Sequence, residues 1–186
     1  MNGAQTHLAF NHLPVIGMPL AALLLAFAMR RKSRELLAAS FAAMVLISLG
    51  TFVAFKAGGP AAHLIINIPG ISRAQIHAHA EAGETLMSGT AVVGGLAVAG
   101  LWLLRAGATP PAAISALVLA GAVLVSAWSG WTAHLGGLIR HPEIEASFVA
   151  PPPPAAPKGG AGPSTAGRRR GSKPLSPAGK TAKSRN

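Results

Sequence analysis

The chain has no cysteine and few charged residues. Only 11% of its 186 residues are Asp, Glu, Lys or Arg, whereas 51% are hydrophobic, and a soluble domain of this size needs more charge to cover its surface. The absence of cysteine excludes disulfides and thiolate metal sites but is compatible with any compartment. The sequence also lacks the alternating ten-residue segments of a transmembrane barrel. The composition therefore favours a helical membrane protein.

Long apolar runs recur four times along the chain. They cover about residues 7–29, 36–55, 76–104 and 112–138. Each run can cross roughly 30 Å of hydrocarbon as a helix that rises about 1.5 Å per residue. A helix also bonds its backbone groups within its own segment, as lipid requires. The sequence predicts an all-α fold, an integral membrane four-helix bundle over residues 1–145.

Residues 146–186 differ from this bundle in composition. They are rich in Pro, Gly, Ala and Ser, and they hold eight of the sixteen Lys and Arg residues. Such a segment buries too little apolar surface to offset chain entropy, so we predict a disordered basic tail. Its basic part is expected to contact anionic lipid or an acidic partner. Because so much positive charge lies in the tail, the net charge of +11 does not indicate nucleic-acid binding.

Basic residues in short loops predict the orientation in the membrane. The turn "MRRKSRE" and the connection "RAGATPP" are expected to be cytoplasmic. Both termini and the loop Lys56–Gln75 then lie in the periplasm of a bacterial inner membrane. No charge precedes the first apolar run, and a basic cluster follows it. We therefore expect an uncleaved span rather than a signal peptide.

The histidines all fall on the predicted periplasmic side of this topology. There are seven of them, and ionisable groups in membrane spans usually face the bundle interior and mark a functional site. On the third span, His77, Glu81 and Glu84 share one helix face, so His79 is predicted to face inward. On the first span, His7 and Asn11 are four apart and share a face. His12 points elsewhere unless Pro14 makes the entry irregular.

Two kinds of cofactor are compatible with this arrangement. A b-type haem for electron transfer would take two axial histidines, with His12 and His79 as the preferred pair and His7 or His134 as substitutes. Arg140 could then pair with a haem propionate. A transition metal, zinc or copper, could instead be held by the following donors: His7, His12, His79 and Glu81. Because no second histidine pair exists at the other end, electron transfer needs a membrane or periplasmic redox partner.

The alternative is a non-catalytic structural or assembly subunit, in which the polar groups fix helix register or dock a partner. Each histidine has such a structural interpretation, as a solvated, capping or hydrogen-bonding residue. No HExxH helix or nucleophile elbow is present, so we expect no enzyme activity from the chain alone. Nothing polar lines the inner half of the spans, which argues against a transporter.

Packing and interface residues can also be predicted. Ala91, Gly95 and Ala99 are four apart on the third span and predict a close contact with a neighbouring helix. Three tryptophans are expected to anchor the spans at the membrane interfaces: Trp102, Trp128 and Trp131.

Three runs of the sequence, "HLAFNHLPVIG", "IPGISRAQIHAHAEA" and "WTAHLGGLIRHPEI", resemble a family of small bacterial four-span membrane proteins of unassigned function. In that family one span opens with NHLP, a later one opens with His and acidic residues after a PG(I/V)S turn, and the last ends in LGG-IRH-EI. The resemblance covers about Leu8–Ile144. The matching positions are Asn11, His12, Pro14, His79, Glu81, Gly136, Gly137, Arg140, His141 and Glu143. Ala80 replaces a usual acidic residue, and His77 and His134 are extra. The resemblance implies a membrane fold and no settled activity.

Overall fold

The computed structural model describes residues 1–144, 147 and 149. Apart from those last two positions, the predicted tail at residues 146–186 lies outside the described residues. The helical elements are α1 (Gly3–Phe10), a π-helical turn (Leu13–Gly17), α2 (Met18–Arg31), α3 (Arg34–Ile65), α4 (Arg73–Arg105), α5 (Ala112–Leu138) and a 3₁₀ turn (Pro142–Ile144). The part of the chain that the structure describes contains no strand.

Four helical segments are long and apolar enough to cross a membrane: Gly3–Arg31, Arg34–Ile65, Arg73–Arg105 and Ala112–Leu138. The first of these consists of α1, the π-helical turn and α2. α3 packs against α1, α2 and α4, and α5 packs against α2 and α4. The predicted four-helix integral membrane bundle is confirmed.

Proline makes the first span irregular, as the position of Pro14 predicted. Pro14 and Pro19 both lack an N–H and so cannot complete the regular ladder, and the π-helical turn lies at this point. The Pro14 carbonyl accepts a hydrogen bond from Ser129 Oγ on α5 at 3.2 Å. A side chain of another span therefore satisfies a backbone group that the irregular turn would leave unpaired in lipid.

The predicted loop Lys56–Gln75 is wrong in extent. α3 continues to Ile65 with Pro60 inside it, and α4 begins at Arg73 after the N-cap Ser72. The connection is therefore residues 66–72, with Gly70 at a φ of 85°. The apolar run ended at residue 55 in the sequence, but a helix can extend past the hydrocarbon into the interface. His63, expected in a loop, lies in the last turn of α3.

The interior of the bundle combines many small side chains with a few large ones, and many large apolar side chains cover its outside. Ala28, Ala97 and Ala122 have no exposed surface. Leu46 and Leu124 are 68% and 71% exposed. This distribution suits a membrane, because lipid solvates large apolar side chains while small residues let helices approach closely.

The packing face of α4 is not the one that the sequence pattern predicted. Ala91, Gly95 and Ala99 are exposed, and the face that contacts α3 and α5 includes Gly94 and Gly100 instead. A Cβ atom on Gly94 would lie 2.5 Å from Ser48 Oγ, so glycine is required for that approach.

The buried threonines of the spans are paired with backbone carbonyls one turn earlier in their own helix. Thr51 donates to Ile47, Thr90 to Leu86 and Thr132 to Trp128, at 2.7–2.9 Å. These local bonds let polar side chains sit inside the bundle without a partner on another helix.

Candidate functional site at the histidine end

The two ends of the bundle carry different side chains. We call the end with His7, His79 and the α3–α4 connection the histidine end. The opposite end, formed by the α2–α3 and α4–α5 turns, is the arginine end, since it carries Arg34 and Arg105.

At the histidine end, the structure brings together His7 of α1 and His79 of α4. Their ring centroids are 6.0 Å apart, and the ring planes are nearly perpendicular, at 87°. Both side chains are half-buried. His79 faces the bundle and His77 is exposed, as the helix register predicted. The two imidazoles of this pair are 72 positions apart in the chain and belong to different spans.

Each ring is hydrogen-bonded to a helix other than the two that carry the pair. His7 Nδ1 lies 2.8 Å from the Ala54 carbonyl of α3, and His79 Nδ1 lies 3.0 Å from the Thr132 carbonyl of α5. Because a carbonyl can only accept, Nδ1 must carry the proton in both rings. In the neutral imidazole, Nε2 then keeps its lone pair. Neither Nε2 atom has a hydrogen-bond partner among the described residues.

Glycine makes room for the His79 ring but is not required beside the His7 ring. A Cβ on Gly136 would lie 3.0 Å from Cε1 of His79, so the ring packs directly on the α5 backbone. A Cβ on Gly58 would lie 3.6 Å from Nδ1 of His7, which is an ordinary contact. The Gly137 carbonyl accepts from the N–H groups of Arg140 and His141 and so ends α5. In the LGG sequence, Gly136 therefore contacts the His79 ring and Gly137 ends the helix.

Asn11 lies one helical turn from His7, at the break between α1 and the π-helical turn. Its Oδ1 is buried and has no hydrogen-bond partner among the described residues. An unpaired buried oxygen costs free energy unless something donates to it or coordinates it. The histidine end thus holds three polar atoms with unused lone pairs: Asn11 Oδ1 and the two Nε2 atoms.

The structure does not gather the other predicted ligands into this site. His12 is exposed, and its Nδ1 lies 3.2 Å from the Leu8 carbonyl of its own helix. His134 is exposed beside Trp131, with ring centroids 5.6 Å apart. Glu81 and Arg140 are also exposed. The neighbour of His79 is therefore His7, which the sequence ranked as a substitute, and not His12.

The predicted four-donor metal set is likewise not assembled. Within residues 1–144, 147 and 149, no three or more His, Cys, Asp or Glu side chains form a group that could hold a metal ion. The reason is geometric. The helix turns away between His7 and His12, so only the first faces α4, while Glu81 lies on the outer face of α4. The donors that the described residues offer are two imidazoles and one amide oxygen.

Outside the pair, polar contacts at this end link or cap helices. Trp128 donates its indole N–H to the Ala82 carbonyl of α4 at 3.0 Å, and it is 40% exposed. It therefore joins α5 to α4, and its location at a membrane interface stays a prediction. His141 donates to Glu143 at 2.9 Å on the surface. The backbone N–H of Glu143, and secondly His141, lower the pKa of the Glu143 carboxyl.

No protein-family model, curated protein or solved structure matches the chain. The fold and the site by themselves define the class: a four-span integral membrane bundle with a pair of carbonyl-anchored histidines at one end.

Proposed function

We propose that His7 and His79 hold a redox-active transition metal at the histidine end, and that the protein supports electron transfer there. The observation that carries this proposal is the anchoring of both rings. Histidines that bind metals usually donate their other ring N–H to a carbonyl or carboxylate, which fixes the tautomer and aims the free nitrogen. Both members of this pair have that arrangement, from two different helices.

The donor set favours copper over zinc. Zinc sites use at least three Cys, His, Asp or Glu ligands, and among the described residues this site offers two such side chains, His7 and His79. Imidazole nitrogen is a good ligand for copper, and two metal–nitrogen bonds of about 2 Å each are compatible with rings 6.0 Å apart. Haem b is the larger alternative, since two axial histidines suffice for it. A bound metal supplies the change of oxidation state, and the chain's own part is to orient the two Nε2 atoms.

The basic residues support a bacterial inner-membrane protein with its histidine end in the periplasm. Five Lys and Arg residues lie in the two turns of the arginine end, against one acidic residue, and such turns favour the cytoplasm. An even number of spans then puts both ends of the bundle's chain on the periplasmic side. A metal could reach His7 and His79 from the periplasm without crossing lipid, and a membrane or periplasmic redox protein would exchange the electron.

A second candidate function is that of a structural or assembly subunit. It is favoured by the same two hydrogen bonds, because His7 ties α1 to α3 and His79 ties α4 to α5. In membranes such interhelical bonds average about 0.6 kcal/mol in double-mutant cycles. That role requires neither a free Nε2 nor an unpaired Asn11 oxygen.

Metal analysis and a visible spectrum of the purified full-length protein separate the two functions. With copper or haem bound, His7→Ala and His79→Ala should each lower occupancy at least tenfold at limiting metal. The matched variants His12→Ala and His134→Ala should keep it, since both residues are exposed. The redox proposal is wrong if the protein is colourless, takes up no copper or haem, and is not stabilised by adding either. The structural role is then the one supported.

A further inference from the structure

An open groove runs along the seam between α3 and α4 on the outside of the bundle. A cavity of about 540 Å³ lies at the arginine end, between residues 34–42 of α3 and residues 101–105 of α4. A second cavity of about 260 Å³ lies between residues 45–52 and 87–98 of the same two helices. The two cavities share no lining residue, and about one helical turn of α3 and of α4 separates them. Together they follow the seam from the membrane interface into the hydrocarbon.

The deeper part of the groove is apolar and is left open by small side chains. Its α4 side includes Ala91 and Gly95, two small exposed residues that do not pack against another span. A Cβ added at Gly95 would meet no atom within 4 Å. Leu49 and Val98 border it and are 59% and 52% exposed. The walls therefore suit a flexible hydrocarbon chain.

The length of the groove also suits a lipid. Gly95 lies ten residues from Arg105, about 15 Å along α4 at about 1.5 Å per residue, and one leaflet is about half of the roughly 30 Å hydrocarbon core. An acyl chain whose head group lies at the arginine end can therefore extend as far as Gly95 within that leaflet.

The mouth of the groove carries two arginines. Arg34 donates through Nη1 to the Ala108 carbonyl at 3.2 Å and through Nη2 to the Leu104 carbonyl. A guanidinium has five N–H groups, so Arg34 is held in place and keeps three donors. Arg105 is exposed and donates to no described residue. Glu35, also in the lining, accepts from Ser33 Oγ at 3.0 Å.

Charge at this end favours an anion. Arg30, Arg31 and Lys32 in the adjacent turn add to the two arginines, and Glu35 is the acidic residue among them. Basic pockets between membrane helices bind phospholipid head groups, and each basic residue near an anionic surface contributes about 1 kcal/mol.

We propose that the α3–α4 groove binds one anionic phospholipid, with its phosphate between Arg34 and Arg105 and an acyl chain along Ala91 and Gly95. The proposal does not depend on the metal site, which lies at the other end of the bundle. This bound lipid differs from the annular lipid that surrounds every span. Annular lipid does not combine a head-group contact and an acyl-chain contact at one defined place.

Native mass spectrometry of the full-length protein, with phosphatidylglycerol and phosphatidylethanolamine of the same chains in competition, tests the head-group contact. The wild type should retain phosphatidylglycerol preferentially. Arg105→Gln should reduce that preference about fivefold, which corresponds to the loss of about 1 kcal/mol. Arg73→Gln, a basic residue of the histidine end, should leave it unchanged.

The acyl-chain contact is tested by a substitution that places a large side chain in the groove. Gly95→Leu should lower phosphatidylglycerol occupancy severalfold, and Gly130→Leu, on the exposed side of α5 with equally open space, should not. Equal retention of both lipids by the wild type would overturn the proposal, as would equal losses in Arg105→Gln and Arg73→Gln or full occupancy in Gly95→Leu. A dimer mass without lipid would assign the groove to a second copy of the chain instead.

Discussion

The two ends of this bundle are held together in different ways. At the arginine end, Phe41 is fully buried against Gly100, and Arg34 donates to the Leu104 carbonyl of α4 and to the Ala108 carbonyl just beyond that helix. At the histidine end, the helices are joined by the imidazole–carbonyl bonds of His7 and His79. At the arginine end, closely packed side chains hold the helices together and fill the interior. The second end keeps polar atoms with free lone pairs, so it is the end with a capacity to bind a ligand in the interior.

Tight packing at the arginine end predicts the largest mutational effect. A Cβ on Gly100 would lie 2.6 Å from Cε2 of Phe41, and that ring has no free space to move into. Gly100→Ala should therefore destabilise the protein by about 2 kcal/mol through overpacking. Unfolding in mixed micelles with increasing SDS, followed by circular dichroism, measures this change.

Gly95→Ala is the matched control for that variant. It lies in the same helix over open space, so it should be neutral or stabilising by up to about 1 kcal/mol, since alanine is the better helix former. If the two variants unfold alike, the arginine end is not packed more tightly than its surroundings, and the contrast between the ends is lost.

The equivalent change at the histidine end should have a smaller effect on stability. A Cβ on Gly136 would lie 3.0 Å from the His79 ring, and a half-buried imidazole can shift by a few tenths of an ångström. Gly136→Ala should cost about 1 kcal/mol or less. It moves the ring off the Thr132 carbonyl, so copper affinity should fall by about 10- to 100-fold if the pair binds metal. A stability loss as large as that of Gly100→Ala would show that the histidine end tolerates an added methyl group no better than the arginine end.

The smallest effect is expected at the surface pair of the histidine end. Glu143 has a lowered pKa, first because of its own backbone N–H and then because of His141. A carboxyl whose pKa is lowered on folding stabilises the fold above its unfolded pKa, and that contribution is lost as the pH falls through the folded value. His141→Ala should therefore raise the pKa of Glu143 only part of the way to its ordinary value.

Carbon-detected NMR titration of the Glu143 side chain measures that shift. Because the group is fully exposed, the variant should leave the unfolding transition at neutral pH unchanged. Full return of the carboxyl to its ordinary pKa would show that His141, and not the backbone, is the main cause.

The elements of the fold followed from local patterns. Four apolar runs gave the four spans, and Pro14 marked the irregular entry. The extension of α3 to Ile65 could not be predicted from these runs. Hydropathy indicates which residues lie in the hydrocarbon, whereas a helix can continue beyond it. The face of α4 was also misassigned. Ala91, Gly95 and Ala99 have the spacing of a packing face, but Gly94 and Gly100 on the neighbouring face make the contacts.

The candidate site was predictable only in part. The sequence put His7, His79 and Asn11 on the same side of the membrane, and helix register turned His79 inward. The preference for His12 rested on its depth along the span. Depth does not say which way a side chain points, and His12 turned out to bond to its own helix. The spacing of four between His7 and Asn11 was the signal that they share the inward face.

The sequence by itself determined that this chain has four membrane-spanning helices, because the free energy of placing a helix in lipid depends mainly on its length and on the hydrophobicity of its side chains. Which histidines meet was decided by the tertiary structure. That pairing depends on how four helices rotate about their axes, and their rotation is set by interlocking contacts between distant residues such as Gly94 with Ser48 and Gly100 with Phe41.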